Sequence, residues 1–356
     1  MNDVDFLLKL VHRGLLLEET GKVIFKELQA GGELDALLAH HAGLSPDVIE
    51  RWRRTDGGEI PEIPGYEILG KAGTGGTADV WRAREKKTRR VLALKVLKPE
   101  AVRHAPTRQA FIYEAKLLEK LSHPGLVAGY GVAKFNQVYF SRMEFVEGHT
   151  LLELLEEGNA FDETAALKVV LGVAEVLAYL AEQGVIHRDI KPGNIMLASD
   201  GALKLIDLGF AGKPQDEASA VAAGAGETTV GTVQYLSPEQ ARGGAADMRS
   251  DIYSLGVTLF HLIVGRLPFE SSDDEEVLRM QVMQSLSSPE LKSKKVSHQL
   301  QYFIEKMMAK EKEIRFQTPA QMAVEIDAYL RARQHQRSRT DREPPSGRRR
   351  RRRPLF

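Results

Sequence analysis

Leucines recur at helical spacing through the first fifty residues, in FLLKLVHRGLLLEE and again in ELDALLAHHAGL. That three-to-four-residue period is the mark of amphipathic helices. SPDVIERW opens a further helix, with Ser45 placed as its N-cap and Pro46 at the first helical position. Gly31 and Gly32 punctuate the segment. The pattern predicts a small bundle of three or four short helices over residues 1–54. TDGGEIPEIPG, residues 55–65, is rich in Gly and Pro and reads as a linker. From Tyr66 the period changes. Tyr66 and Ile68 alternate like a strand, as do Leu92, Leu94 and Val96 with Ala93, Lys95 and Leu97. FIYEAKLLEKL then returns to helical spacing, with Phe111, Leu117, Leu118 and Leu121 on roughly one face. The chain is mostly helical from there to about Arg333. Residues 334–356 are Arg, Ser and Pro, too poor in apolar surface to fold, and are expected to be disordered.

Composition narrows the picture. A chain of 356 residues is long enough for about two domains. Cysteine is absent, which excludes disulfides, thiolate metal sites and cysteine nucleophiles. Formal net charge is zero, but the balance is uneven. From Arg331 onward eleven arginines face only Asp341 and Glu343, a net of +9, so the rest of the chain carries −9. The start, MNDVDFLLKLVHRG, has acid before its apolar run and no small-residue cleavage site, unlike a signal peptide. The apolar stretch Leu255–Val264 contains His261 and is too short to span a bilayer. The expectation is a soluble, cytoplasmic protein with no transmembrane segment.

Four constellations carry chemistry. YEILGKAGTGGTADVWRA crowds glycines after a strand, in the register Gly73-x-Gly75-x-x-Ala78-x-Val80. Glycines let backbone N–H groups approach phosphate oxygens, although a glycine-rich hairpin reads the same way. Lys95 sits amid apolar strand residues and is costly to bury without a counter-charge. Glu114 on the following helix is the candidate partner. The competing readings are an edge lysine and a solvated helix face. HRDIKPGNIML gathers Asp189, Lys191 and Asn194 at the edge of an apolar segment. Thirteen residues on, the apolar strand of LKLIDLG delivers Asp207 into Gly209. A strand-end carboxylate before glycine suits a cation, and magnesium takes few carboxylates plus substrate phosphates. Asp207 and Asn194 would be its protein oxygens, leaving Asp189 to meet the hydrogen of an incoming hydroxyl.

Taken together, these motifs resemble the eukaryotic-like (Hanks-type) serine/threonine protein kinases of bacteria. Gly73-x-Gly75-x-x-Ala78-x-Val80 resembles the phosphate loop, Leu92-Ala93-Leu94-Lys95 the strand lysine, and His187-Arg188-Asp189 with Asn194 the catalytic loop. Asp207-Leu208-Gly209 resembles the metal loop with Leu in place of Phe. Ser237-Pro238-Glu239 resembles the end of the activation segment, and DIYSLGVTLFHLIVGRLPF the long buried helix after it. The resemblance covers Tyr66 to about Leu330. It implies an α+β, bilobal kinase fold, with a small mainly-β N-lobe and a large mainly-α C-lobe, preceded by the helical segment and followed by the basic tail. The kinase domain would span residues 66–333.

The resemblance also assigns roles. Lys95, aimed by Glu114, would hold the α- and β-phosphates of ATP. Asp207 and Asn194 would ligate Mg2+, Lys191 would neutralise the γ-phosphate, and Asp189 would orient and deprotonate a protein hydroxyl. The nucleotide ring would lie near Val80, Ala93 and Leu197. The connector Met143-Glu144-Phe145-Val146 would cap it, with Met143 as gate and Glu144 and Val146 as contacts. Lys191 and Thr232 fit the serine/threonine class. Asp251 would tie the buried helix to the catalytic loop, and Arg315 would pair with Glu239. His187 would be a packing residue. Arg188 would receive a phosphate from the activation segment, on Thr228 or Thr229. All five chemical residues are present, which favours an active enzyme over a pseudokinase scaffold, while Ala78 and Leu208 depart from the pattern. The N-terminal helices, which lie outside the resemblance, would recruit a substrate or partner protein or else brace the small lobe. The charge of the arginine run, also outside the resemblance, would attract a polyanion, either nucleic acid or an anionic membrane surface, or else the run is a solvated tail that touches the acidic body of the chain.

Overall fold

The apolar periods of the first segment close into three helices, α1 (Asp3–His12), α2 (Glu18–Gln29) and α3 (Leu34–Ala42). Phe6, Leu7 and Leu10 of α1, Ile24 of α2, and Leu34 and Leu38 of α3 bury one small core with Leu16 and Ile49. Gly43 stops α3 in the left-handed conformation (φ 63°), its N–H donating to the Leu38 carbonyl. The N–H groups of Val48 and Ile49 donate to the Ser45 carbonyl, the opening turn expected at SPDVIERW. The structure, a computed structural model, describes residues 3–12, 16–46, 48–49, 60–61, 63–159, 161–209, 211, 233–286, 291 and 296–340. Thr228, Thr229 and Thr232 lie outside the described residues, as does the arginine run at 348–353.

The chain divides into two compact units. The first comprises Met1–Lys120 and Gly129–Phe145, the second Leu121–Ala128 and Val146–Phe356.

The first unit holds, besides the helices above, an antiparallel sheet of five strands in the order β1-β2-β3-β5-β4. These are β1 (Tyr66–Thr74), β2 (Ala78–Glu85), β3 (Val91–Leu97), β4 (Gly129–Phe135) and β5 (Val138–Glu144). Strand period sends alternate residues of β3 to opposite faces. Leu92, Leu94 and Val96 pack with Trp81, Ala83 and Phe140 on one face. Ile63 is buried in that same cluster, with Ile60 against it. The end of the expected linker is thus docked on the sheet, because the two isoleucines cover an apolar face that water would otherwise wet. Two helices follow β3, α4 (Pro99–Arg103) and α5 (Ala105–Lys120). On the other face of β3, Leu97 packs with Ala78, Ala101 and Phe111 of α5.

The second unit is mostly helical. A three-stranded sheet, β6 (Gly148–Thr150), β7 (Ile195–Ala198) and β8 (Leu203–Leu205), joins in the order β6-β7-β8. Around it lie α6 (Leu151–Glu156), α7 (Glu163–Glu182), α8 (Pro238–Ala241), α9 (Met248–Val264), α10 (Asp274–Met283), α11 (His298–Met307) and α12 (Pro319–Thr340). Every residue of α9 from Ser250 to Phe260 is buried, and α9 packs against α7 and α11. Among the described residues one helix, α7, is long and apolar enough to cross a membrane by length and composition. It is a longer candidate than Leu255–Val264. Nine of its residues, including Leu167, Val170, Val173 and Leu177, are buried in the unit. Helix α12 runs to Thr340, seven residues beyond the boundary expected for the tail. Gln, His and Arg are compatible with a helix, and no Gly or Pro interrupts residues 334–340.

Candidate active site

Within the first unit the sheet register lines up the expected nucleotide residues. Val80 faces Lys95, Ala93 faces Met143, and Gly73 faces Val80 across the strands. Directly opposed residues share a face, and so do residues two apart on one strand. Gly73, Val80, Ala93, Lys95 and Met143 therefore share one side of the sheet, opposite the Trp81 core. Glu144, opposite Leu92, lies on the other parity. The glycine-rich turn is closed by the Gly75 N–H donating to the Ala78 carbonyl, 2.9 Å. Lys98, just past β3, donates to the Gly75 carbonyl at 2.6 Å, a tether not anticipated from the sequence.

Phe111, Glu114, Ala115 and Leu118 form the buried stripe of α5. Leu117, expected on that stripe, is half-buried at its edge. The three-residue step from Phe111 carries Glu114 inward, so it is 7% exposed rather than on a solvated face. There the Lys95 ammonium donates to both of its carboxylate oxygens, at 2.8 and 3.0 Å. The predicted counter-charge is in place.

In the second unit the segment HRDIKPGN folds around Asp189. The Asn194 carboxamide donates to the Asp189 carbonyl (2.9 Å) and to its Oδ2 (2.8 Å), and Lys191 Nζ lies 2.9 Å from the same oxygen. Both N–H bonds of Asn194 are thus spent, which leaves its oxygen as the atom available to a cation. Asp189 and Asn194 are buried. Strand pairing brings in the second acid: β7, which starts after Asn194, pairs with β8, and the Ile206 N–H donates to the Asn194 carbonyl at 3.0 Å. Asp207 follows, its Oδ1 accepting the Gly209 N–H at 2.9 Å. Leu208 is buried at the position where the family pattern has Phe. Leu197 on β7 and Val146, ahead of β6, also belong to this unit. An Asp carboxylate and an Asn carboxamide on adjoining segments are donor types that suit a hard divalent cation completed by phosphate oxygens.

The backbone ahead of Asp189 is held from α9. The buried Asp251 carboxylate accepts the N–H of His187 (2.9 Å) and of Arg188 (2.7 Å). Burial pushes its carboxyl up, while His187 and the two backbone bonds act the other way. Arg188 has φ 68°, a conformation that a non-glycine residue keeps only when its surroundings impose it. From α8, the Gln240 amide donates to the Arg188 carbonyl, a link that sequence reasoning missed although Ser237-Pro238-Glu239-Gln240 is legible as a capping box. Arg315 makes the expected fork to Glu239, 2.8 and 2.9 Å. Burial would raise the Glu239 carboxyl, but the bonds and charge of Arg315, helped by Ser250, hold it below its ordinary value. His40 and His41 stack edge to face, and His41 bonds Glu27. Among the described residues no group of three or more His, Cys, Asp or Glu could hold a metal ion.

Comparison with known proteins agrees with this geometry. Residues 66–326 match the protein kinase domain. A probable serine/threonine-protein kinase of Streptomyces coelicolor is 33% identical over 269 residues, which are 74% of this chain and 40% of that protein. The serine/threonine-protein kinase PknB of Mycobacterium tuberculosis is 33% identical over 265 residues, 73% of this chain and 42% of PknB. The chain spans about two fifths of the length of the curated relatives it matches. With the matched segment covering well over half of its length, the chain belongs to the protein kinase domain family.

Proposed function

We propose that the protein is a serine/threonine kinase that transfers the γ-phosphoryl group of ATP to a protein hydroxyl. The observation that carries this reading is the survival of both halves of the chemistry, the Lys95–Glu114 pair and the Asp189–Lys191–Asn194 cluster. In the proposed reaction the bond between the γ-phosphorus and the β–γ bridging oxygen breaks as the acceptor oxygen bonds to phosphorus. The acceptor proton passes to Asp189. The described contacts of the Asp189 carboxylate all fall on Oδ2. That supports Oδ1 as the oxygen that meets the hydroxyl. Lys95, held by Glu114, binds the α- and β-phosphates, and Lys191 offsets charge on the transferred group. The nucleotide ring is proposed to contact Val80, Ala93, Met143, Glu144, Val146 and Leu197. Asn194 and Asp207 would hold Mg2+, which supplies charge neutralisation on the phosphates.

The finer sequence readings belong to the same proposal: control by phosphate on Thr228 or Thr229, a partner protein at the N-terminal helices, a polyanion at the arginine run, and a cytoplasmic location. The reading is tested by incubating the chain with radiolabelled ATP, Mg2+ and a degenerate serine/threonine peptide pool. Label should enter the peptides with wild type and be lost with Asp189→Ala at unchanged thermal stability. Equal labelling by the two proteins would refute it.

A further inference from the structure

We infer that Gln240 is a positioning residue that sets the orientation of Asp189 through the peptide bond joining it to Arg188; the inference rests on the kinase reading above. Arg188 is held in the left-handed region, which its surroundings must impose, and two bonds grip its backbone. Its N–H is fixed by Asp251 at 2.7 Å, and its carbonyl accepts from Gln240 Nε2 at 3.1 Å. That carbonyl and the Asp189 N–H belong to one planar unit. The Asp189 N–H donates to His187 Nδ1 at 3.3 Å. Rotating the plane would break both bonds and swing the Asp189 carboxylate away from Asn194 and Lys191.

The orientation of the Gln240 amide follows from its partners. Its Oε1 accepts from the Ser237 hydroxyl (2.8 Å) and from the Ser237 N–H (3.2 Å). A flipped amide would set oxygen against the Arg188 carbonyl and nitrogen against an N–H, so the donor must face Arg188. Ser237 is fully buried, which fixes the base of the bridge. A bare capping box needs only Oε1. Nε2 is the atom that reaches the catalytic loop, 52 residues away in sequence.

Gln240→Glu separates the two roles. Glutamate keeps the acceptor for the capping box but, when ionised, faces the Arg188 carbonyl with no donor. The charged groups around this peptide are Arg188 and Asp189 themselves, Asp251 and Lys191, with His187 beside them, while Glu239 is engaged by Arg315. Near pH 8, kcat should fall about tenfold or more, with KM for ATP within about twofold, because a buried acceptor loses its partner. As pH falls towards 6 the deficit should narrow severalfold, since a protonated carboxyl restores an O–H donor. Gln240→Met, which has no donor at any pH, should show the loss without that recovery. Amide exchange of residues 186–190, followed by mass spectrometry, should rise in both variants. If Gln240→Glu matches wild type in rate and exchange at every pH, the inference is overturned and Gln240 is a cap alone. A wild-type chain that transfers no phosphate would refute the kinase reading, and the exchange data would still decide whether Gln240 holds the loop.

Discussion

Arg315→Met is the most demanding test of how the second unit is held together. Arg315 is 2% exposed and its guanidinium donates to both oxygens of Glu239, itself 8% exposed. It also donates to the carbonyls of Arg249, Ala309 and Lys310. Removing it leaves the buried Glu239 carboxylate without its counter-charge, still accepting from the Ser250 hydroxyl, and takes a donor from three carbonyls. Breaking one partner of a buried pair costs about 3–5 kcal/mol. For a unit of this size about 2–4 °C of melting temperature accompanies each kcal/mol, so the midpoint should drop by about 6–20 °C. The pH dependence has a definite sign. In wild type the Glu239 carboxyl lies below its ordinary value of 4.5 because of Arg315, so its contribution is complete above that value and is lost as pH falls through the folded value. Without Arg315, burial dominates and the folded value rises, so acidification relieves the variant. The gap between the two proteins should therefore narrow as pH falls from neutral towards 4.5. Adding Glu239→Gln to Arg315→Met should restore at least about half of the loss, since the stranded charge is gone. Thermal unfolding followed by circular dichroism reads all three proteins. A variant that melts within about 2 °C of wild type at neutral pH, or a gap that widens on acidification, would refute the reasoning.

Asp251→Asn keeps the shape but leaves one acceptor where two N–H groups arrive, so stability should fall by about 1–3 kcal/mol and phosphate transfer should fall with it, as read by melting and the peptide assay. Gly148→Ala should separate β6 from β7, because a Cβ there would stand 2.2 Å from the Leu197 carbonyl oxygen and 2.7 Å from Ala198 Cα. Both neighbours are backbone, so the cost should be about 1–3 kcal/mol, and KM for ATP should rise as Leu197 shifts, measured by melting and steady-state kinetics.

Much of the site was legible in the residues. Lys95 is conspicuous because an ammonium in an apolar strand demands a counter-charge; Glu114 on the following helix was the candidate, although its position alone reads as a solvated face. Asp207 is conspicuous as a carboxylate closing an apolar strand before glycine. What the structure adds to those expectations has physical reasons. Ile60 and Ile63 sit among Gly and Pro, whose local preference is for a linker, yet the sheet face they cover is apolar. Helix α12 outlasts its expected end because its arginines and glutamines tolerate a helix as readily as solvent does.

Sequence alone determined the element types, the change of period at Tyr66, and which residue types could meet phosphate and cation, since these follow from spacing and side-chain chemistry within short windows. The pairings of Asp251 with the catalytic loop and of Arg315 with Glu239 were implied by the family resemblance and not by any local pattern; tertiary structure decided which atoms meet, and it alone supplied the partner of Gln240. Asp251 reaches two N–H groups 64 and 63 residues away, and Gln240 a carbonyl 52 residues away. Such bonds depend on where separate helices are packed, and packing is set by the sum of many apolar contacts rather than by any local pattern.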